Sequence, residues 1–209
     1  MLQSHSLTQY FIFLIHSLGS PFLIKNQLGF FDDEPDLFPR LNLDWDFPCV
    51  ITNAQIDIDN LNFEKEKFNK VIKELSAMNC ECIEIRCFSN IKDFIVNHIL
   101  VTTQDSRIKE LRFILSFDTG IEQLFQEELI HKYPRINSIT FHNSKKYDNK
   151  KVKGVDISYL KDNLDITKCG QICPLAFTIN VENFTESVNF NNCLNKKVAI
   201  DVNGNIKNC

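Results

Sequence analysis

The chain lacks any apolar run long enough to cross a bilayer. Its best candidate, Tyr10-Phe-Ile-Phe-Leu-Ile-His-Ser-Leu18, is nine residues long, against about 20 for a membrane helix. Residues 1–9 contain no Lys or Arg, so the basic start of a secretory signal is missing as well. A helix and turn leading to Gln27-Leu-Gly-Phe-Phe31 is the expectation for this stretch, in a cytoplasmic chain with no membrane partner. There is no excess of positive charge either. With 23 Lys and Arg against 27 Asp and Glu, the net charge is −4, which leaves no basic footprint for nucleic acid. The phosphate-cradling motifs G-x4-G-K-[ST] and G-x-G-x-x-G are absent, as is the zinc-protease motif H-E-x-x-H. Eight cysteines in 209 residues are too dilute for a disulfide framework and fit free, buried or metal-bound thiols in a reducing compartment.

What is present is the composition of a globular protein, 44% apolar and 24% charged. The length allows one sizeable domain, or one with a small partial one. Asp32-Asp-Glu-Pro-Asp-Leu-Phe-Pro-Arg40 is acidic, carries two prolines and reads as a linker. Beyond it, strand-like and helix-like segments alternate. Residues 49–58, 81–88, 111–117 and 136–142 have strand character, with Ile83, Ile85 and Cys87 on one face of the second. Between them, residues 63–78 carry Phe68, Val71, Ile72 and Leu75 at helical spacing. Residues 91–102 carry Phe94, Ile95, Ile99 and Leu100, and 121–131 carry Leu124, Phe125 and Leu129. Alternation of this kind predicts βαβ units and a parallel sheet, open or curled into a partial barrel. The lysine-rich stretch 145–153 reads as a charged loop, and 155–160 as a last strand.

From about Cys169 the pattern changes to an Asn-rich, Cys-bearing tail. Cys193-Leu-Asn-Lys-Lys-Val-Ala-Ile-Asp-Val-Asn-Gly-Asn-Ile-Lys-Asn-Cys209 has the spacing C-x10-G-x4-C. Val198, Ile200 and Val202 alternate with Ala199 and Asp201, and Asn203-Gly204 suits a two-residue type I′ hairpin turn. That register sets Val202 against Asn205, Ile200 against Lys207 and Val198 against Cys209. Cys209 would then lie where Cys193 enters. Spacing alone leaves open a converging pair and a plain hairpin with two unrelated thiols. Cys169, Cys173, Cys193 and Cys209 are the one set able to give four sulfurs, for an iron–sulfur cluster or a structural zinc.

The run from Cys169-Gly-Gln-Ile through Phe177-Thr-Ile-Asn180, Phe184-Thr-Glu-Ser187 and Asn192-Cys-Leu-Asn-Lys-Lys197 to Ile206-Lys-Asn-Cys209 resembles the SPASM-domain peptide maturases of grasp-with-spasm systems. The family's cysteine pattern opens C-x(9–15)-G-x4-C and continues to a C-x2-C-x5-C-x3-C block, which this sequence does not reach, so it looks like a fragment. The resemblance implies an α/β fold: a partial, radical-SAM-like βα barrel followed by the start of a Cys-rich SPASM domain with a β-hairpin. Three regions follow: an N-terminal remnant of the leader-binding region with its linker (1–40), the partial barrel (41–165) and the truncated SPASM domain (166–209). Cys193 and Cys209 would ligate an auxiliary [4Fe–4S] cluster, with Cys169 a further candidate. The implied partners are a ribosomally made precursor peptide with a Gly-Gly-type leader and an ATP-grasp ligase.

A radical-SAM barrel carries C-x3-C-x2-C after its first strand. Here that strand holds Cys49 alone, and 59–66 contain no cysteine. No use of S-adenosylmethionine is therefore expected. Cys80, Cys82 and Cys87 form C-x-C-x4-C, but strand alternation puts Cys87 opposite the first two, so they read as packing cysteines. His131 and His142 are isolated, and the paired Asp44 and Asp46 have no partner base. Two functions from different classes remain: a peptide-modifying maturase, and a non-catalytic adaptor that binds peptide or ligase, with zinc or free thiols in its tail.

Overall fold

The computed structural model describes residues 51–165 and 195–207. The chain divides into two compact units, Met1–Phe47 with Ile172–Asn195, and Pro48–Gln171 with Lys196–Cys209. The second unit is an α/β fold. Its strands are β1 (Asn53–Asp57), β2 (Cys82–Cys87), β3 (Glu110–Ser116), β4 (Ile136–His142), β5 (Asp148–Val152), β6 (Val155–Tyr159), β7 (Lys197–Ile200) and β8 (Ile206–Lys207). Its helices are α1 (Lys65–Ala77), α2 (Asp93–Gln104), α3 (Thr119–Leu124) and α4 (Glu127–Lys132). The eight strands form one sheet in the order β5-β6-β4-β3-β2-β1-β7-β8. Every neighbouring pair from β6 to β7 is parallel, and the outer hairpins β5–β6 and β7–β8 are antiparallel. The expected open parallel sheet is therefore present.

Alternation along the strands gives this sheet two unlike faces. One presents Ile56, Ile83, Ile85, Phe113, Phe141 and Ile157, each at most 4% exposed. These pack in one core with Phe68, Ile72 and Leu75 of α1 and Ile95, Ile99 and Leu100 of α2. At about 1.5–3 kcal/mol for each large side chain buried, this face is the main source of stability. The 3.6-residue spacing of those helical residues is what turns them inward together. A register shift in β4 keeps the pattern consistent: Leu111 aligns with Ile136 but Arg112 with Ser138, so Asn137 is extra. Ile136 and Ile139, three apart, are thereby both buried.

Helix α1 ends in a Schellman turn. Asn79 adopts φ 56°, its N–H bonds the Ser76 carbonyl, and the Cys80 N–H bonds that of Leu75. Asn is, after Gly, the residue best suited to that left-handed position.

Four expectations are corrected. The helix expected over 121–131 is two: α3 starts earlier, where Asp118 Oδ1 caps it by accepting from Gly120 (2.8 Å) and Ile121 (3.3 Å), and the chain breaks after Leu124 before α4 begins at Glu127. Phe125 has left helical backbone angles there, its side chain buried against Phe113 and Phe141. The lysine-rich "loop" contains the edge strand β5, joined to β6 by a two-residue turn in which Lys153 and Gly154 both have positive φ. Exposed lysines are usual on an edge strand, where they deter pairing with other chains. Phe94, expected on the buried side of α2, is 52% exposed beneath the Lys65 ammonium, and Val96 is buried in its stead.

The fourth correction concerns the tail hairpin, whose register is one residue off. Ile200 pairs with Ile206 and Ala199 with Lys207, not Ile200 with Lys207. Asp201 is the cause. Its Oδ1 accepts from the N–H groups of Asn203 and Asn205, and its carbonyl from Gly204, which sits at φ 84°. This side-chain cradle replaces the two-residue turn. A one-residue slip exchanges faces, and Lys207 thereby joins the sheet face that carries Ala199.

Candidate functional site

The second face of the sheet is polar. β1 contributes Gln55 and Asp57, β2 Cys82, Glu84 and Arg86, β3 Glu110, Arg112 and Ser116, and β4 Ser138, Thr140 and His142. Such a face follows from strands that read mostly polar at every second residue, Ile114 of β3, beside Arg86, being an exception. At its carboxyl end Asp57 and Arg86 lie opposite each other in the β1–β2 register. Arg86 Nε donates to Asp57 Oδ1 at 2.7 Å and Nη2 to Oδ2 at 3.0 Å. Lys207 Nζ, from β8, donates to the same Oδ2 at 2.8 Å. The Asp57 and Arg86 side chains are 0% and 5% exposed, and that of Lys207 31%. Two cations thus share one carboxylate at the carboxyl end of β1 and β2, and Lys207 also helps hold the Asp201 carboxyl below its ordinary value, after the hydrogen bonds from Asn205. Carboxyl ends of parallel strands are where open α/β sheets bind ligands.

One residue beyond, the Phe88 ring links this cluster to His142. The Arg86 guanidinium lies 5.2 Å from the Phe88 centroid, and the Phe88 and His142 rings are 5.9 Å apart. His142 is fully buried. Its Nδ1 accepts the Leu164 N–H at 3.4 Å, so the neutral ring carries its proton on Nε2. Among the described residues, Nε2 alone is a buried side-chain polar atom with no hydrogen-bond partner. Burial lowers the His142 pKa from its ordinary value, while the Cys87 carbonyl and the Asn163 side chain favour the protonated ring. Toward the amino ends of the strands the face is self-satisfied: Gln55 Nε2 donates to Glu84 Oε1 at 2.7 Å, and Arg112 pairs with Glu110 at 3.0 Å.

Cys193, Cys209 and Cys169, the expected cluster ligands, lie outside the described residues, as do Cys173, Cys49, Asp44 and Asp46. Cys80, Cys82 and Cys87 are free and buried, and the structure separates them. Cys80 and Cys87 are in the core, whereas Cys82 is on the polar face. Cys80 was expected beside Cys82, but strand alternation begins only at Cys82, after the left-handed turn at Asn79. Burial pushes the Cys82 and Cys87 thiols up, the reverse of what a metal-binding thiolate needs. These three do not fit a cluster, and no group of three metal-ligating side chains occurs among the described residues. His131 is exposed on α4. The ion cluster and the buried state of His142 were not anticipated. The alternation Gln55-Ile-Asp57 and Glu84-Ile-Arg86 carried a signal for the polar face, but nothing in it paired Asp57 with Lys207.

An open, mostly parallel α/β sheet with an ion cluster at its polar carboxyl edge is the class that fold and site define. No helix among the described residues is long and apolar enough to cross a membrane. No family model, no curated protein and no solved structure matches the chain.

Proposed function

We propose that this chain is a peptide-modification protein of the SPASM kind, working in the cytoplasm on a ribosomally made precursor peptide beside an ATP-grasp ligase. In this reading the parallel sheet is a partial, radical-SAM-like barrel whose polar face receives the peptide. The tail would hold an auxiliary [4Fe–4S] cluster through Cys193 and Cys209. The observation that carries the reading is the Cys169–Cys209 run with its C-x10-G-x4-C spacing, whose hairpin strands β7 and β8 extend the βα sheet beside β1. Sequential order β1-β2-β3-β4 with one polar face supports it, since a barrel arc presents such a face to its interior. When bound, a cluster of this type supplies one-electron redox chemistry.

The test is iron per chain after anaerobic reconstitution, with the C-x2-C-x5-C-x3-C block appended after Cys209. Cys193→Ala and Cys209→Ala should each lower iron content, and Cys82→Ala should not. Full iron in both tail variants contradicts the assignment. With no C-x3-C-x2-C after β1, S-adenosylmethionine should not be cleaved, and 5′-deoxyadenosine above a no-protein control would refute that part.

One observation favours the adaptor reading. Asp57 and Glu84 on the polar face are each held by a donor, so neither is free to act as a base. An adaptor should bind peptide without turnover and carry zinc or no metal. A maturase should carry redox-active iron.

A further inference from the structure

We propose that the free edge of β5 takes up an extended peptide segment as a further antiparallel strand, one that turns a Lys or Arg toward α4. This rests on the peptide-handling reading above and adds a binding mode at a place apart from the ion cluster. β5 ends the sheet order and pairs with β6 alone among the described residues. Its register fixes which backbone groups face outward. Val152 and Val155 close the two-residue turn, so Asp148, Lys150 and Val152 are the positions hydrogen-bonded to β6. The N–H and carbonyl groups of Asn149 and Lys151 therefore point away from β6. Asp148 Oδ1 accepts from the Asn149 N–H at 3.0 Å. The Asn149 carbonyl and both backbone groups of Lys151 meet no partner among the described residues, and both residues are exposed. Such a row can pair with an incoming strand, the main chain giving affinity and alternate side chains specificity.

A cleft beside this edge decides the occupant. It measures about 640 Å³ and lies between Lys150 and Val152 of β5 and Glu122, Phe125, Glu127 and Glu128 of the α3–α4 segment. Alternation turns the residues of an added strand that lie opposite Lys150 and Val152 into the cleft, and the residue opposite Lys151 away from it. Most charges there are matched: Lys150 with Glu122 at 3.2 Å and Lys153, from the turn, with Glu127 at 3.3 Å. Lys151, on the other face, pairs with Asp156 at 3.1 Å. Glu128 has no ion pair among the described residues, and Lys132, one turn further along α4, lies over the Tyr133 ring. The surplus is one carboxylate in the first turn of α4, the turn that reaches Lys153 beside Val152. A Lys or Arg opposite Val152 answers that charge, and an uncharged residue suits the position opposite Lys150. A second copy of the chain is disfavoured, because antiparallel pairing centred on Lys151 sets that ammonium against its own counterpart.

The experiment uses the whole chain and the blocked peptide acetyl-Thr-Lys-Thr-Val-Thr-amide, titrated while the backbone amide signals of Asn149 and Lys151 are followed. One counterpart carries Glu in place of Lys. Another is N-methylated at the central Thr, which removes the donor that the Lys151 carbonyl would accept from. The lysyl peptide should shift the Lys151 amide and bind about fivefold more tightly than either counterpart. Glu128→Gln should shrink the preference for Lys over Glu. Lys151→Pro removes an outward N–H that the β5–β6 ladder does not use, so it should keep the melting temperature and lose the peptide, while Lys151→Thr keeps both. Equal binding of the lysyl and N-methylated peptides, or of the lysyl peptide to the two Lys151 variants, overturns strand addition. Should Lys151→Pro melt lower, the N-methylated peptide on the unaltered chain still decides. Equal binding of the lysyl and glutamyl peptides overturns the assigned occupant. Self-association of the chain that Lys151→Pro abolishes puts a second copy on this edge and overturns it as well. None of these probes needs a cluster, so failure of the iron test leaves this result to stand or fall alone.

Discussion

The two faces of the sheet are built from the same strands yet obey different rules. On one, Ile83, Ile85, Phe113 and Phe141 are closed off beneath helices. On the other, alternate residues of the same strands hold a buried ion cluster and an unsatisfied histidine. The apolar face is explained by burial alone. The polar face is not, because burying Asp57 and Arg86 stabilises little and replacing such pairs by apolar residues is often neutral or better. These charges lie at the carboxyl edge, where ligands bind in sheets of this class.

The largest expected effect breaks this contrast at its weakest point. Asp57→Asn leaves Arg86 and Lys207 without their shared carboxylate and should cost about 3–5 kcal/mol in urea unfolding. The double variant Asp57→Asn with Arg86→Met should cost less than Asp57→Asn alone. Equal or greater loss in the double would show that the pair holds the fold together through packing. Next comes the apolar face. Ile85→Ala removes a fully buried side chain and should cost about 2–5 kcal/mol. It should leave the chemical shifts of His142 unchanged.

A smaller effect concerns pH. The folded-state pKa of His142 lies below its ordinary value of 6.5, chiefly through burial, and that of His98 is lowered by burial and by Lys65. Both rings therefore bind protons more readily when the chain is unfolded. Their contribution is fully present above about pH 6.5 and is lost as pH falls through that value toward the lowered pKa. Unfolding free energy should decline across that window, and less steeply in His142→Gln. A decline of unchanged steepness would remove His142 from the account.

The smallest effects test local backbone. Lys153 holds φ 48° in the β5–β6 turn, so Lys153→Asn should gain about 0.5 kcal/mol or less. Asn79→Ala, at φ 56°, should lose about 1 kcal/mol. Thermal melts of the two should move in opposite directions.

Much of the apolar face was legible beforehand, because period-2 and period-3.6 patterns report burial directly. Ile83, Ile85 and Cys87 were expected on one face of a strand and lie there fully buried. What failed was decided by single residues. Phe125 leaves helical backbone angles where the apolar pattern predicted one continuous helix, and Asp201 shifts a hairpin by one residue. The site was least legible. Asp57 and Lys207 are 150 positions apart, and the partner of a charge depends on sheet order and register that no local pattern contains. His142 is the strand-end histidine expected, the last residue of β4, but its burial beside Phe88 depends on strand order and not on any local pattern.

The contrast between an apolar face held by burial and a polar face whose ion cluster stabilises little is tested most directly by urea unfolding of Ile85→Ala beside Asp57→Asn and the double variant Asp57→Asn with Arg86→Met. Ile85→Ala should lose about 2–5 kcal/mol, and the double variant should lose less than Asp57→Asn alone. If the double variant loses as much as Asp57→Asn or more, the polar face holds the fold together through packing and the account is wrong.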